Sequence, residues 1–427
     1  MGKYAFINGI VLNGHEDMEP GAGKAVLVED DQIRAVADAD SVDLSGYEVI
    51  DLNGRYLMPG LVNPHVHLGM DGTNEGVLRA YEPENLKDGV IDKVFLPVVI
   101  KSAQTALNAG ITTVRSVGGF GDLDTRVRDM IDRGEIEGPR VLACNMAITV
   151  ENGHGAGSMS YVVATEEEAK AEVDRLAEQK VDWIKLMITG GVTDAVVKGE
   201  PGILRMPGNL VKASCDRAHE RGLKVAAHIE SPEGIRIALE NGVDSVEHGA
   251  EPDEYIISLF KKNHAMDVTT IAAAMPLYKF PPELSGCDDT KLFNAEVVSN
   301  GIIDCARACL ENGIDVAIGT DAGCPLCMHY DLWREVWLFA KHCGVSNQFA
   351  LHTVTQRNAE LIGAGDVTGT IDEGKCADLI VLARNPLEDL GALRNIDMVM
   401  ARGNLIREPE FERNERTDEL LDKYMMV

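Results

Sequence analysis

The chain has 427 residues, 45% of them hydrophobic and 26% charged, the make-up of a soluble globule with room for one large domain and a smaller satellite. Lys and Arg total 40 against 69 Asp and Glu, a formal net charge of -29; repulsion therefore argues against nucleic acids and anionic membranes and leaves a small molecule as the expected partner. No apolar run approaches the ~20 residues of a membrane span, no signal-peptide core follows Met1, and nine scattered cysteines read as reduced thiols, so a cytoplasmic location is expected and a homo-oligomer stays open.

In chain order, residues 1–58 alternate short β runs with turn signals, and Tyr4–Leu12, Ala25–Glu29, Ile33–Ala37, Glu48–Leu52 and Arg55–Met58 are predicted strands. From 59 to 365 the rhythm becomes helix, glycine, strand. Thr165 and Glu168 form a capping box that opens a helix towards Gln179. Ser231 is a predicted N-cap with Pro232 at the first helical position, and Gly242 ends that helix in the left-handed conformation. Eight strands are predicted: Leu61–His67, Thr112–Val117, Arg140–Asn145, Val181–Ile188, Lys224–Ile229, Asp244–His248, Ala265–Ile271 and Asp315–Thr320. Alternation of this kind specifies an α/β fold, a (β/α)8 TIM barrel; an open doubly wound sheet is the fallback, without a phosphate-loop or dinucleotide fingerprint to support it. From 366 to 427, Gly369–Leu382 and Met398–Ile406 return to β character, so both chain ends are predicted to build one small β-sandwich domain. The charged tail from Glu410 is expected to be a loose or peripheral helix.

Residue types able to bind metal stand at the ends of these strands. His65 and His67 are two apart and share one face. Lys185 lies in the fourth strand, His228 ends the fifth, His248 ends the sixth, and Asp321 follows the eighth. Each has an ordinary alternative: a hydrogen-bonded structural histidine, a lysine in a misread register, an aspartate capping a helix. Parallel barrel strands bring their C-terminal ends to one mouth, so all six would meet there. Cys324-Pro-Leu-Cys327 is a lone CxxC without the second pair of a zinc site, and its role stays open.

At these positions the chain resembles the amidohydrolase superfamily. Pro64-His65-Val66-His67 matches its first-strand HxH, and Ile318-Gly-Thr-Asp321-Ala-Gly its eighth-strand aspartate. Gly110-Ile-Thr-Thr-Val-Arg115, Ile184-Lys185 with Gly190-Gly191-Val192, and Asp244-Ser-Val-Glu-His248-Gly are similar to the imidazolonepropionase- and prolidase-like branch. The resemblance implies two divalent metal ions: one on His65, His67 and Asp321, one on His228 and His248, bridged by a CO2-derived carbamate on Lys185. Zn is the favoured ion, with Mn, Fe and Co also suited to such ligands. It implies hydrolysis of a C–N bond (amide, peptide, lactam or carbamate-like) by a hydroxide shared between the metals, with Asp321 as proton shuttle.

On the substrate side, Asn152-Gly-His154-Gly is similar to a substrate-contacting loop, and Arg115 and His329 are further candidates. Asn63 and Ser116 depart from the acidic residues common in relatives. Prolidase-like members carry Ala-Tyr after the fifth-strand histidine, the Tyr binding a carboxylate; here Ile229-Glu230 follows, so Glu230 is expected to disfavour anionic substrates. A mononuclear deaminase on the same barrel is the alternative, though it leaves Lys185 without a role. His15, His219, His264, His342 and His352 are expected at the surface.

Overall fold

The computed structural model describes residues 2–87 and 89–426. Eight parallel strands form the barrel: Leu61–Val66, Ile111–Ser116, Arg140–Ala143, Trp183–Met187, Lys224–Ile229, Ser245–His248, Met266–Thr269 and Val316–Ile318. The Asp182 N–H donates to Ala143 O (2.8 Å) and links the third strand to the fourth. The Asp321 N–H to His65 O (2.9 Å) and the His67 N–H to Ala322 O (2.8 Å) close the eighth onto the first. These are the eight strands expected, with ends moved by a residue or two. The first stops before His67, and the seventh gives way at Thr270 to a helix, Ile271–Lys279. Two short parallel strands not foreseen, Ala147–Thr149 and Ser160–Val162, bracket the loop that carries His154.

The helices start where their caps demand. Thr165 and Glu168 make the reciprocal capping box of helix Glu166–Glu178, and Ser231 Oγ accepts from the Gly234 N–H at 3.3 Å. Val117, Cys144, Trp183, Ala226, Met266, Val268 and Ala317 fill the barrel interior, which is therefore a packed core and not a pore.

Both chain ends build two small sheets. In one, Lys3–Ile7 pairs with Lys24–Glu29 and with Glu48–Asp51. In the other, Tyr56–Pro59 pairs with Leu379–Leu382, which pairs with Met398–Ala401. Phe6, Val26, Val28, Ile50, Leu57, Leu379, Val381 and Met400 pack between them as a sandwich core. The single strand expected over Tyr4–Leu12 is broken at Asn8, which adopts φ +55, and the chain crosses there from one sheet to the other. Only Gly60 separates Tyr56–Pro59 from the first barrel strand, and a Cβ at that position would come within 2.1 Å of Thr112 Oγ1. Of the two expectations for the tail, the peripheral helix holds and it is docked: helix Glu415–Met425 buries Leu421 and Met425 and ties Asp422 to the buried Arg334 at 2.6 Å. His352, expected at the surface, is buried with Nδ1 donating to Gly14 O at 3.0 Å. No described helix is long and apolar enough to cross a membrane.

Candidate active site

The first strand delivers His65 into the barrel fully buried. Its Nδ1 donates to Glu247 Oε2 at 2.6 Å, which leaves Nε2 facing the mouth, 3.3 Å from Asp321 Oδ1. His67 donates from Nδ1 to Gly118 O (2.9 Å) and brings Nε2 to 3.0 Å from the same Asp321 oxygen. His248 Nδ1 meets Thr270 Oγ1 at 2.8 Å; its ring lies 4.9 Å from His65 and 4.6 Å from His228, centroid to centroid. Consecutive residues of a regular strand face opposite sides, so Glu247 and His248 could not both point inwards. His248 escapes that rule with φ +75, and Asp321 leaves its strand with φ +63. Left-handed backbone at residues other than glycine costs of order 1–3 kcal/mol and persists where the surroundings over-determine it, typically at functional sites.

Burial, reinforced by neighbouring imidazoles, pushes His228 and His248 well below the usual histidine range, into the neutral form that ligates metal. Burial also lowers the Lys185 ammonium, against the raising pull of Glu247 and Asp321. The Asp321 carboxyl would be raised by burial, but the His65 and His67 imidazoles beside it hold it well below the carboxylate range. His65 Nε2 and Asp321 Oδ1 are nevertheless buried without a well-formed hydrogen bond. Orphaned atoms in a set of imidazoles and a carboxylate fit a divalent cation. The ligand atoms of His65, His248 and Asp321 lie within 4.8 Å of one another, as do those of His67, Asp321 and Cys324, two triplets that share Asp321.

Around this centre, His154 lies flat on His228, with ring centroids 4.2 Å apart and planes 2° apart, and its Nδ1 is hydrogen-bonded to Asp194. Glu230 faces the same space: Oε2 accepts from the Val192 N–H (3.0 Å) and Oε1 lies 4.0 Å from His228 Nε2. Burial, then the Asp321 charge, pushes its carboxyl well above the usual range. His329 is buried beside this region, Nε2 donating to Met70 O at 2.8 Å; burial brings its pKa to about 4.

Arg115 is corrected. Expected among the substrate contacts, it is fully buried and stacked 4.5 Å over Trp183 at the start of the fourth strand, towards the closed end of the barrel. Its guanidinium is engaged by Pro64 O (2.7 Å) and Glu247 Oε1 (2.7 Å). Glu247, Asp194 and Cys324 are the site residues that sequence reasoning did not single out as members of the site.

The profile of the amidohydrolase family matches residues 56–406. A provisionally assigned prolidase from Bifidobacterium longum has a solved structure that superposes with a TM-score of 0.88, at 32% sequence identity over 99% of both chains. Ochratoxinase of Aspergillus niger is 24% identical over 433 aligned positions, spanning 94% of this chain and 86% of its own. Imidazolonepropionase of Symbiobacterium thermophilum is 26% identical over 399 positions, spanning 84% of each. With strand-end histidines, lysine and aspartate gathered at one mouth, and a family profile running from the last strand before the barrel to the last strand after it, the chain belongs to the amidohydrolase family, in its imidazolonepropionase- and prolidase-like branch, and is a hydrolase of carbon–nitrogen bonds.

Proposed function

We propose that the protein hydrolyses the C–N bond of a small neutral or cationic amide, lactam or carbamate at a centre for two divalent ions. The observation that carries this reading is the pair of orphaned buried atoms, His65 Nε2 and Asp321 Oδ1, set among three further histidines. His65, His67 and Asp321 would hold one ion, and His228 and His248 the other. Lys185, its ammonium lowered by burial, can expose a neutral amine; addition of CO2 with loss of a proton gives an anionic two-oxygen bridge. Two ions bound there would supply polarisation of the substrate carbonyl and acidify water. Asp321, kept ionised by His65 and His67, accepts a proton from the attacking water and delivers it to the leaving amine. His154, held by Asp194 on the face of His228, is available to orient the substrate.

Acidic groups near Glu230 carry the reading of substrate charge. A cavity of about 830 Å3 beside Glu230 is lined by Glu200, Glu233, Glu251 and Asp304, and no described Lys or Arg lines it. Metal analysis of the purified protein, with a screen of N-acyl amino acids, dipeptides, lactams and carbamates, tests the reading. Close to two ions per chain are expected, fewer in His65→Ala or His228→Ala. Asp321→Asn with metals bound should lose about 10²–10⁴-fold in rate. Full hydrolytic activity in metal-free protein overturns the reading, and wild-type turnover in Asp321→Asn moves the base elsewhere.

A further inference from the structure

None of the six ligands that the resemblance implies is a cysteine, yet a thiol reaches the centre. Cys324 Sγ lies within 4.8 Å of ligand atoms of both His67 and Asp321. The backbone delivers it there. Asp321 at φ +63 and Gly323 at φ +108 fold the loop back over the first strand, and the Cys324 N–H closes the turn onto Asp321 O at 3.1 Å. A Cβ at Gly323 would come within 2.5 Å of His67 O, so the fold-back requires glycine. The second thiol of the CxxC goes elsewhere: Cys327 is buried and donates to Thr320 O at 3.1 Å. The two cysteines are therefore not equivalent, and only Cys324 stands with His67 and Asp321.

The space between these groups calls for a ligated atom. Asp321 Oδ1 is buried with no well-formed hydrogen bond, as is His65 Nε2 beside it. Zinc bonds of ~2.3 Å to sulfur and ~2.0–2.1 Å to imidazole place tetrahedral neighbours about 3.5 Å apart, so the observed spread closes onto an ion with small side-chain adjustments. His248 belongs to the triplet that includes His65, whereas Cys324 belongs to the triplet that includes His67, so the thiol stands beside residues that would hold the first ion.

We propose that Cys324 supplies a thiolate ligand to the ion held by His65, His67 and Asp321, giving this position a preference for thiophilic Zn2+ or Co2+ over Mn2+. The inference rests on the metal reading above. On binding, the S–H proton passes to solvent and a sulfur–metal bond takes its place, so loading releases one proton more than a centre without the thiol would. Imidazole donors already favour Zn2+ over Mn2+, and a soft thiolate widens that gap.

Cobalt loading of the metal-stripped protein under reducing conditions tests this. Wild type and Cys327→Ser should show a near-ultraviolet sulfur-to-cobalt charge-transfer band that Cys324→Ser and Cys324→Ala lack while still binding cobalt. In competition, the Zn2+ to Mn2+ affinity ratio should fall by about tenfold or more in Cys324→Ser, a change at the low end of what outer-shell partners of a ligand produce. Cobalt bound in wild type without the band, or a band that survives in both Cys324 variants, overturns the thiolate ligand and leaves the metal centre standing. Failure of the wild type and every variant alike to bind cobalt overturns the metal reading and this inference with it.

Discussion

Glu247 Oε2 lies 2.6 Å from His65 Nδ1 while its Oε1 lies 2.7 Å from Arg115 Nη2, with all three side chains buried. Burial alone would raise the Glu247 carboxyl; the Arg115 guanidinium and the His65 hydrogen bond hold it well below the carboxylate range. The ionised carboxylate fixes the His65 tautomer and turns its Nε2 towards the mouth, the usual task of an outer partner of a metal-ligating histidine.

Glu247→Gln should therefore lower metal affinity by about 10–100-fold. It also leaves Arg115 as an uncompensated buried charge, which costs about 3–5 kcal/mol. Metal titration and urea unfolding read the two effects separately. Unchanged metal affinity in a folded variant would show that His65 orients itself without Glu247.

Lys185→Ala should remove the bridge and most of the activity. Short carboxylic acids added to the variant should restore part of it by occupying the vacated position, whereas added amines should not. An unmodified Lys185 amine beside two fully occupied ions in a high-resolution structure would exclude the carbamate.

The carboxylates around Glu230 predict a preference by charge. kcat/KM for a substrate carboxamide should exceed that for the matching free acid in wild type. Because burial and Asp321 favour the neutral form of Glu230, its own contribution is smaller than a charged side chain would make, and Glu230→Gln should narrow the preference only in part. A preference for the free acid would sink the expectation, and an identical ratio in Glu230→Gln would assign all selectivity to the other carboxylates.

Stability carries a pH signature of its own. Glu335, buried in helix Leu332–Cys343, accepts from the N–H groups of Ile271 (2.8 Å) and Ala272 (2.6 Å). Burial pushes its pKa from 4.5 up to about 7, against those lowering hydrogen bonds. The folded-state value exceeds the unfolded one, so folding takes up a proton between them. Its contribution is complete below about pH 4.5 and is lost as pH rises through about 7, by about 3 kcal/mol. The stability of wild type minus that of Glu335→Gln, from urea unfolding, should fall across this window. A difference independent of pH would mean that Glu335 is already ionised in the fold.

Much of this was legible in the residues themselves. Histidines and an aspartate at the ends of apolar β-branched runs cannot be explained by packing, and the parallel barrel supplies the reason they meet. Glu247 was hidden because strand alternation allows only one of Glu247 and His248 to face inwards, and nothing in the sequence marks the left-handed backbone that frees His248. Arg115 was misplaced because depth in a barrel depends on the stagger between strands; its stacking on Trp183, far along the chain, fixes it below the mouth. The CxxC spacing suggested a pair, whereas the reversal at Gly323 separates the two thiols. In the tail, Leu421 and Met425 are four apart on one helical face, a stripe obscured by the acidic residues around it.

The join at Gly60 sets an order of events in biosynthesis. Strand Tyr56–Pro59 leaves the ribosome well before its partner Leu379–Leu382. His65, just beyond the join, must likewise wait for Asp321. The earlier strand thus emerges with an edge that stays uncovered until Leu379–Leu382 has been made. Contacts of such long sequence separation fold slowly and leave nascent strands open to aggregation. The sandwich therefore closes, and the candidate centre assembles, only after segments at the far end of the barrel sequence from Gly60 have been made.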